Sequence, residues 1–180
     1  MKRFVIPLIM ALSSADTLPK PSVDDLKAAL NTYYIIWTVM RSFDLDSVYG
    51  KHSCLYALPI SLASEDYRFY YGYNDGDWWK HQILYAKLQQ EGENAVLVVS
   101  ETQEGKGHPH TLQYWNSNQS CFILTFTNET SGKTECQLHV WETMLRTNHS
   151  PSAYTCENEY ERICGDAPKY QPYNALCNRK

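Results

Sequence analysis

An all-β fold, an eight-stranded antiparallel up-and-down barrel with a short helix before it and another packed outside after it, is what the sequence predicts. Three observations carry that prediction. Eight segments are rich in Tyr, Val, Ile, Phe and Trp and alternate with a period of two; short turn signals separate several of them; and helix-like stretches bracket the set. Period alone leaves an eight-stranded sandwich open as the alternative. The bracketing helices and the long aromatic strands favour the closed form, which has room for one small ligand.

The chain opens with MKRFVIPLIMALSSA, in which two positive charges precede an apolar run from Phe4 to Leu12 and small residues follow at Ser13 and Ala15. That order is expected of a secretory signal peptide over residues 1–15, leaving residues 16–180 as a single domain. The apolar run is too short for a membrane span, and no later segment is long and apolar enough to be one. Ser22 followed by Asp24 and Asp25 suits a capped helix start, with Asp25 in place of the usual Glu, and the helix runs to about Asn31.

The predicted strands then follow in order: 32–43, 53–63, 66–74, 78–90, 95–102, 110–117, 121–127 and 136–143. NDGD, QEGEN, EGKGHP and NETSGK supply turns between them. Pro59 marks an edge, bend or bulge in the second. Trp78 and Trp79 are adjacent and must lie on opposite strand faces, so the outward one either marks a partner surface or lies under a loop. Beyond the last strand, residues 150–164 read as a helix that begins near Pro151 and Ser152, and the remaining tail is too rich in Pro and Gly for a regular element.

Six cysteines, at 54, 121, 136, 156, 164 and 177, in an exported chain predict three disulfides, with fifteen possible pairings. A metal site is not expected, because no CxxC occurs and the six histidines are scattered. Asn118, Asn128 and Asn148 begin N-x-S/T sequons suited to glycosylation. The formal charge is −4, and two of the 16 basic residues, Lys2 and Arg3, belong to the leader. A domain this acidic disfavours nucleic acid and anionic membranes as partners. SxxK, GxSxG, HExxH and P-loop patterns are absent, and no thiol is left free once six cysteines pair, so neither an enzyme nor a cofactor is expected.

The run LKAALNTYYIIWTV leading to DSVYG and Cys54, the GHPHTLQYWNSNQSC run into Cys121, the strand pair from Cys121 to Trp141, and the late Cys156 and Cys177 resemble the salivary lipocalins of ticks, the group that includes the histamine-binding proteins. The resemblance spans nearly the whole exported chain. It implies a secreted, salivary, monomeric barrel that acts on host immune or inflammatory responses. It also implies the pairs Cys54–Cys177 and Cys121–Cys156, which leaves Cys136 with Cys164. Each closure is worth about 3 to 5 kcal/mol in the chain-entropy model.

A strand cysteine tied to an outer helix points outward, so the residues alternating with it point in. That assigns Phe122, Leu124 and Phe126 to the interior from Cys121, and Gln137, His139, Trp141 and Thr143 from Cys136. In amine-binding relatives, the resemblance implies acidic side chains where this chain has Leu112, Phe122 and His139. Only Asp46 remains, with Tyr49 as its aromatic neighbour. With Tyr34 or Trp37 of the first strand added, the expected lining is apolar and aromatic. The expected ligand is a sterol, fatty acid or eicosanoid rather than a biogenic amine held by Asp46. A carboxylate head would call for Arg41, Arg68 or Lys87 inside, whereas a hydroxyl would need only Tyr, His or Gln. A host protein bound through the exterior is the alternative of another class.

Overall fold

The structure is a computed structural model that describes residues 19–47, 50–76, 78–147 and 154–178. The expected leader over residues 1–15, Tyr49 and Asn148 lie outside the described residues, as do Pro151 and Ser152.

Helix α1 (Val23–Leu30) starts where its cap dictates. The Ser22 N–H donates to the Asp25 carboxylate at 2.8 Å and the Asp25 N–H donates to Ser22 Oγ at 3.2 Å, a reciprocal pair that satisfies two orphan donors. Leu26, Ala29 and Leu30 recur at helical spacing and are buried, and this face packs over one end of the barrel.

The strands are β1 (Ile36–Arg41), β2 (Asp46–Ser47), β3 (Gly50–Ala63), β4 (Asp66–Asp75), β5 (Trp78–Glu91), β6 (Asn94–Ser100), β7 (His108–Asn116), β8 (Cys121–Thr127) and β9 (Thr134–Trp141). All pairings are antiparallel in the order β1-β9-β8-β7-β6-β5-β4-β3-β2, and a β1–β3 pairing closes the eight long strands into an up-and-down barrel. The eight predicted strands are therefore present, with two corrections at the ends. The first begins at Ile36 rather than 32, and the last stops at Trp141, where α2 (Glu142–Thr147) takes over and removes Thr143 from the sheet. The late helix is α3 (Glu157–Cys164), with Cys156 at its cap in a left-handed conformation.

Closure between β1 and β3 rests on two register pairs, Ile36↔Ala57 and Trp37↔Tyr56. Below them the C-terminal tail fills the seam. Arg41 and Tyr170 exchange both backbone hydrogen bonds at 2.9 Å, and the Cys54 N–H donates to the Pro172 carbonyl at 2.7 Å. The disulfides are Cys54–Cys177, Cys121–Cys156 and Cys136–Cys164, the pairs that the resemblance implies.

Two apolar layers share the strands. Outside, Cys121, Ile123, Cys136, Leu138 and Val140 pack under Cys156 and Tyr160 of the α3 region. Inside, Phe122 and Leu124 join Ile36, Tyr67, Phe69 and Leu97. The alternation of β8 thus divides its residues between the layers as the outward cysteines require. Asn118 and Asn128 sit in the β7–β8 and β8–β9 turns, and the Asn128 Oδ1 accepts from the Thr130 and Ser131 N–H groups.

Candidate functional site

Side chains of the eight long strands and Leu30 of α1 enclose a cavity of about 210 Å³. Its apolar wall includes Leu30, Ile36, Phe69, Leu84, Leu97, Phe122 and Leu124, and Thr38, Tyr67, Tyr71, His110, Gln137 and His139 are among the residues that bring polar groups to it. Among the described residues, the lining has no Asp, Glu, Lys or Arg side chain.

Rings fix much of that wall. Tyr67 stacks on Phe69 at 4.9 Å, Phe122 stacks on His139 at 4.8 Å, and Trp115 meets both Phe122 and Trp141. Trp141 reaches beneath α1, where its Nε1–H donates to the Ala29 carbonyl at 3.0 Å. The helix end is thereby sealed, and the opposite end of the barrel forms the mouth.

Two buried polar atoms in the lining have no hydrogen-bond partner, Tyr67 Oη and His139 Nε2. His139 is oriented through its other nitrogen, since Nδ1 lies 3.3 Å from Thr38 Oγ1 across the β1–β9 ladder. Burial, reinforced by His110, pushes the His139 imidazole down to about 3, so it is neutral at physiological pH. Burial also holds the Tyr67 hydroxyl well above its ordinary value and pushes Tyr71 up to about 12. His110, whose Nδ1 lies 2.9 Å from the His108 carbonyl, is lowered by burial. The cavity is therefore uncharged, with hydrogen-bonding capacity left over at two points.

Of the expected lining residues, Phe122, Leu124 and His139 are brought together in the cavity wall. Trp141 and Leu112 are in the inner layer but outside the lining, Trp141 in the sealed end and Leu112 fully packed. Phe126 lies toward the mouth, edge-on to Phe43 and close to His110. The first-strand residues need correction. Tyr34 precedes β1 and is 51% exposed, while Trp37 faces outward against Tyr56 and Tyr173; Ile36 and Thr38 occupy the inner face instead. The side chain of Asp46 lies outside the described residues, as does Tyr49.

Of the three cationic candidates, Arg68 and Lys87 are exposed on the outer side, and Arg41 is buried at the mouth. Its Nη2 donates to Asp44 at 3.0 Å and to the His52 carbonyl at 3.2 Å. Lys51 also binds Asp44, and its hydrogen bond is the main cause holding that carboxyl below its usual range. Tyr67, Phe69 and Tyr71 are site residues that sequence reasoning misses, although their alternation in DYRFYYGYN puts them on one face. Which face that is depends on strand pairing, which period alone does not give.

Among the described residues, no group of His, Cys, Asp or Glu is arranged to hold a metal ion, and no helix is long and apolar enough to cross a membrane.

A family model described as tick histamine binding protein matches residues 20–179. Among solved structures, the AM182 serotonin complex superposes with a TM-score of 0.60 at 14% identity, covering 84% of this chain and 91% of that one. Japanin from Rhipicephalus appendiculatus bound to cholesterol superposes with a TM-score of 0.53 at 12% identity, covering 83% of this chain and 98% of that one. At such identities these likenesses establish the fold. No curated protein matches the chain.

Proposed function

The chain belongs to the tick histamine-binding protein family, and from that premise we propose that it is a secreted binder that sequesters a neutral, hydroxyl-bearing hydrophobic molecule of host origin in its barrel. The observation carrying this reading is the uncharged lining with two buried, unpartnered polar atoms, Tyr67 Oη and His139 Nε2. An alkylammonium group taken out of water into this lining would lose several kcal/mol of solvation with no carboxylate to offset it. A carboxylate head would meet the same obstacle. A hydroxyl both donates and accepts, so it satisfies Tyr67 and either tautomer of His139.

Size refines the class. About 210 Å³ exceeds the roughly 150 Å³ that takes up benzene in an engineered apolar cavity, but falls short of the roughly 300–1,000 Å³ of typical ligand pockets. One ring system fits as the cavity stands. A sterol would seat its hydroxyl end between Tyr67 and His139 and require the mouth to open around the rest. Sequestration of such a lipid is the route by which the protein would modulate host inflammatory or immune responses.

Native mass spectrometry of protein secreted from eukaryotic cells, followed by titration with cholesterol, arachidonic acid, leukotriene B4, serotonin and histamine, tests the proposal. Cholesterol is expected to bind best, with affinity falling about five- to tenfold in Tyr67→Phe and in His139→Leu, the scale of one lost hydrogen bond. Preferential histamine or serotonin binding that survives both substitutions would overturn it.

A further inference from the structure

Among the described residues, stretches of β3 and β5 each have an edge that no strand covers, and the two are built differently. On β3, β1 reaches only Tyr56 and Ala57. The stretch beyond carries Pro59, which has no N–H to offer, and the ladder to β4 shifts register between Pro59 and Ser61. Proline and a bulge are the usual devices that keep an edge from recruiting a new strand. On β5, β6 pairs only from Tyr85 onward, so residues 78–84 meet no strand on that side. This stretch has neither device. Its ladder with β4 runs from Asp66↔Lys87 to Asp75↔Trp78 without a register shift, and it contains no proline. Its side chains are also unusually apolar for an exposed ribbon, with Trp78 67% and Ile83 38% accessible and Tyr70 of β4 paired beside Ile83.

We infer that this edge is an interface for a second copy of the same chain, added antiparallel about a two-fold axis at His81. The open stretch fixes the register. Its limits are Trp78, the first residue of β5, and Leu84, the last before β6 begins, so pairing one with the other uses the full edge and stops where β6 starts. Facing residues in a sheet must share a side, and this register satisfies that rule throughout. On the outer side Trp79 stands opposite Ile83 of the second copy, twice by symmetry, and His81 meets its own copy at the axis. On the other side Trp78 stands opposite Leu84, and Lys80 opposite Gln82.

Aromatic and β-branched residues thus face each other, the favourable cross-strand combination, and no lysine faces a lysine. The interface is isologous and closes on itself, so it yields a dimer rather than a fibre. The sequon asparagines Asn118 and Asn128 are in turns of β7–β9, beyond β6 in the sheet order, which leaves the β5 edge clear of them. The expectation from the sequence is a monomer, and the uncovered edge that argues for a dimer follows from the end of β6 at Ser100.

Sedimentation equilibrium of the secreted full chain across micromolar to millimolar concentrations tests the assignment. A reversible monomer–dimer equilibrium is expected. Trp79→Glu or Ile83→Lys alone should weaken it by about tenfold or more, because each change strikes two symmetry-related contacts. The double variant W79E/I83K restores a complementary pair at both positions and should recover dimerisation. Gln82→Glu, which sets a carboxylate opposite Lys80, should tighten it, and serves as the readout if a tryptophan variant fails to fold. A chain that stays monomeric throughout, a dimer indifferent to Ile83→Lys and Gln82→Glu, or a folded double variant that does not recover would each overturn the inference. Pairing of the edge with a different protein while the chain itself stays monomeric would do so as well.

Discussion

The β8–β9 and β4–β5 hairpins obey the same period-two rule, yet they stand in opposite situations. In β8–β9 every residue from Cys121 to Thr127 has a partner on β9, both strands have a second neighbour, and the two cysteines tie the outer face to the α3 region. In β4–β5 the ladder is longer, but its mouth half loses β6, and Trp78 and Trp79 are left accessible. The lesson is that a hairpin's stability depends on what covers its second edge and its two faces, and its own pairing is the smaller part. Both hairpins line the cavity, but only the second leaves a strand edge uncovered.

The largest expected effect breaks the well-covered side. Replacing Cys136 and Cys164, or Cys121 and Cys156, by alanine opens loops with sequence separations of 28 and 35. Each double substitution is expected to cost about 3.5 kcal/mol in the chain-entropy model, read from the urea midpoint. Retention of wild-type stability would show that packing under α3, rather than the covalent tie, holds this wall.

A smaller effect comes from His139 on β9. Its imidazole is held at about 3 by burial, against roughly 6.5 in the unfolded chain. Above that unfolded-chain value both states are neutral and the histidine contributes no pH dependence. As pH falls below it, only the unfolded chain takes up the proton, so stability declines, by about 2 kcal/mol at pH 5. Urea titrations at pH 7 and pH 5 should show the loss, and His139→Gln should remove most of it. His110, lowered in the same direction, contributes a remainder of the same sign.

The smallest effect sharpens the contrast from the open side. Ile83→Ala, at an accessible position, should change monomer stability by less than about 0.5 kcal/mol, whereas Ile123→Ala, at a fully buried one, should cost about 2 to 5 kcal/mol. Hydrogen exchange provides a direct check, with amides of residues 78–84 opening locally and those of β8 opening only near the global limit.

Much of this arrangement is legible in the order of the residues. Outward cysteines at 121 and 136 orient two strands, and Phe122, Leu124 and His139 fall inside as that parity requires. The first strand defeats the same reasoning for a related cause. Tyr34 and Trp37 differ in parity, so one strand face could never hold both, and with no cysteine in that strand no local signal sets which side is inner. Tyr67, Phe69 and Tyr71 are recognisable as one face, but only the ladders to β3 and β5 turn that face inward. The extent of β6 is harder still, because its end at Ser100 is set by where the 101–107 loop turns away, a tertiary outcome with no periodic signal.

The tail at the β1–β3 seam has a consequence in time as well as in space. With only two register pairs between those strands, the ring is completed by Arg41 with Tyr170 and by Cys54 with Pro172, contacts that span more than a hundred residues. Loop closure over such distances is slow compared with hairpin formation. The sheet is therefore expected to exist first as a curved, open ribbon and to become a vessel only when the tail docks. Pulse-labelled exchange should show the Cys54 and Arg41 amides protected after those of β8 and β9. On that order of events, ligand is captured by a finished container, and the last-docked segment decides when the container exists.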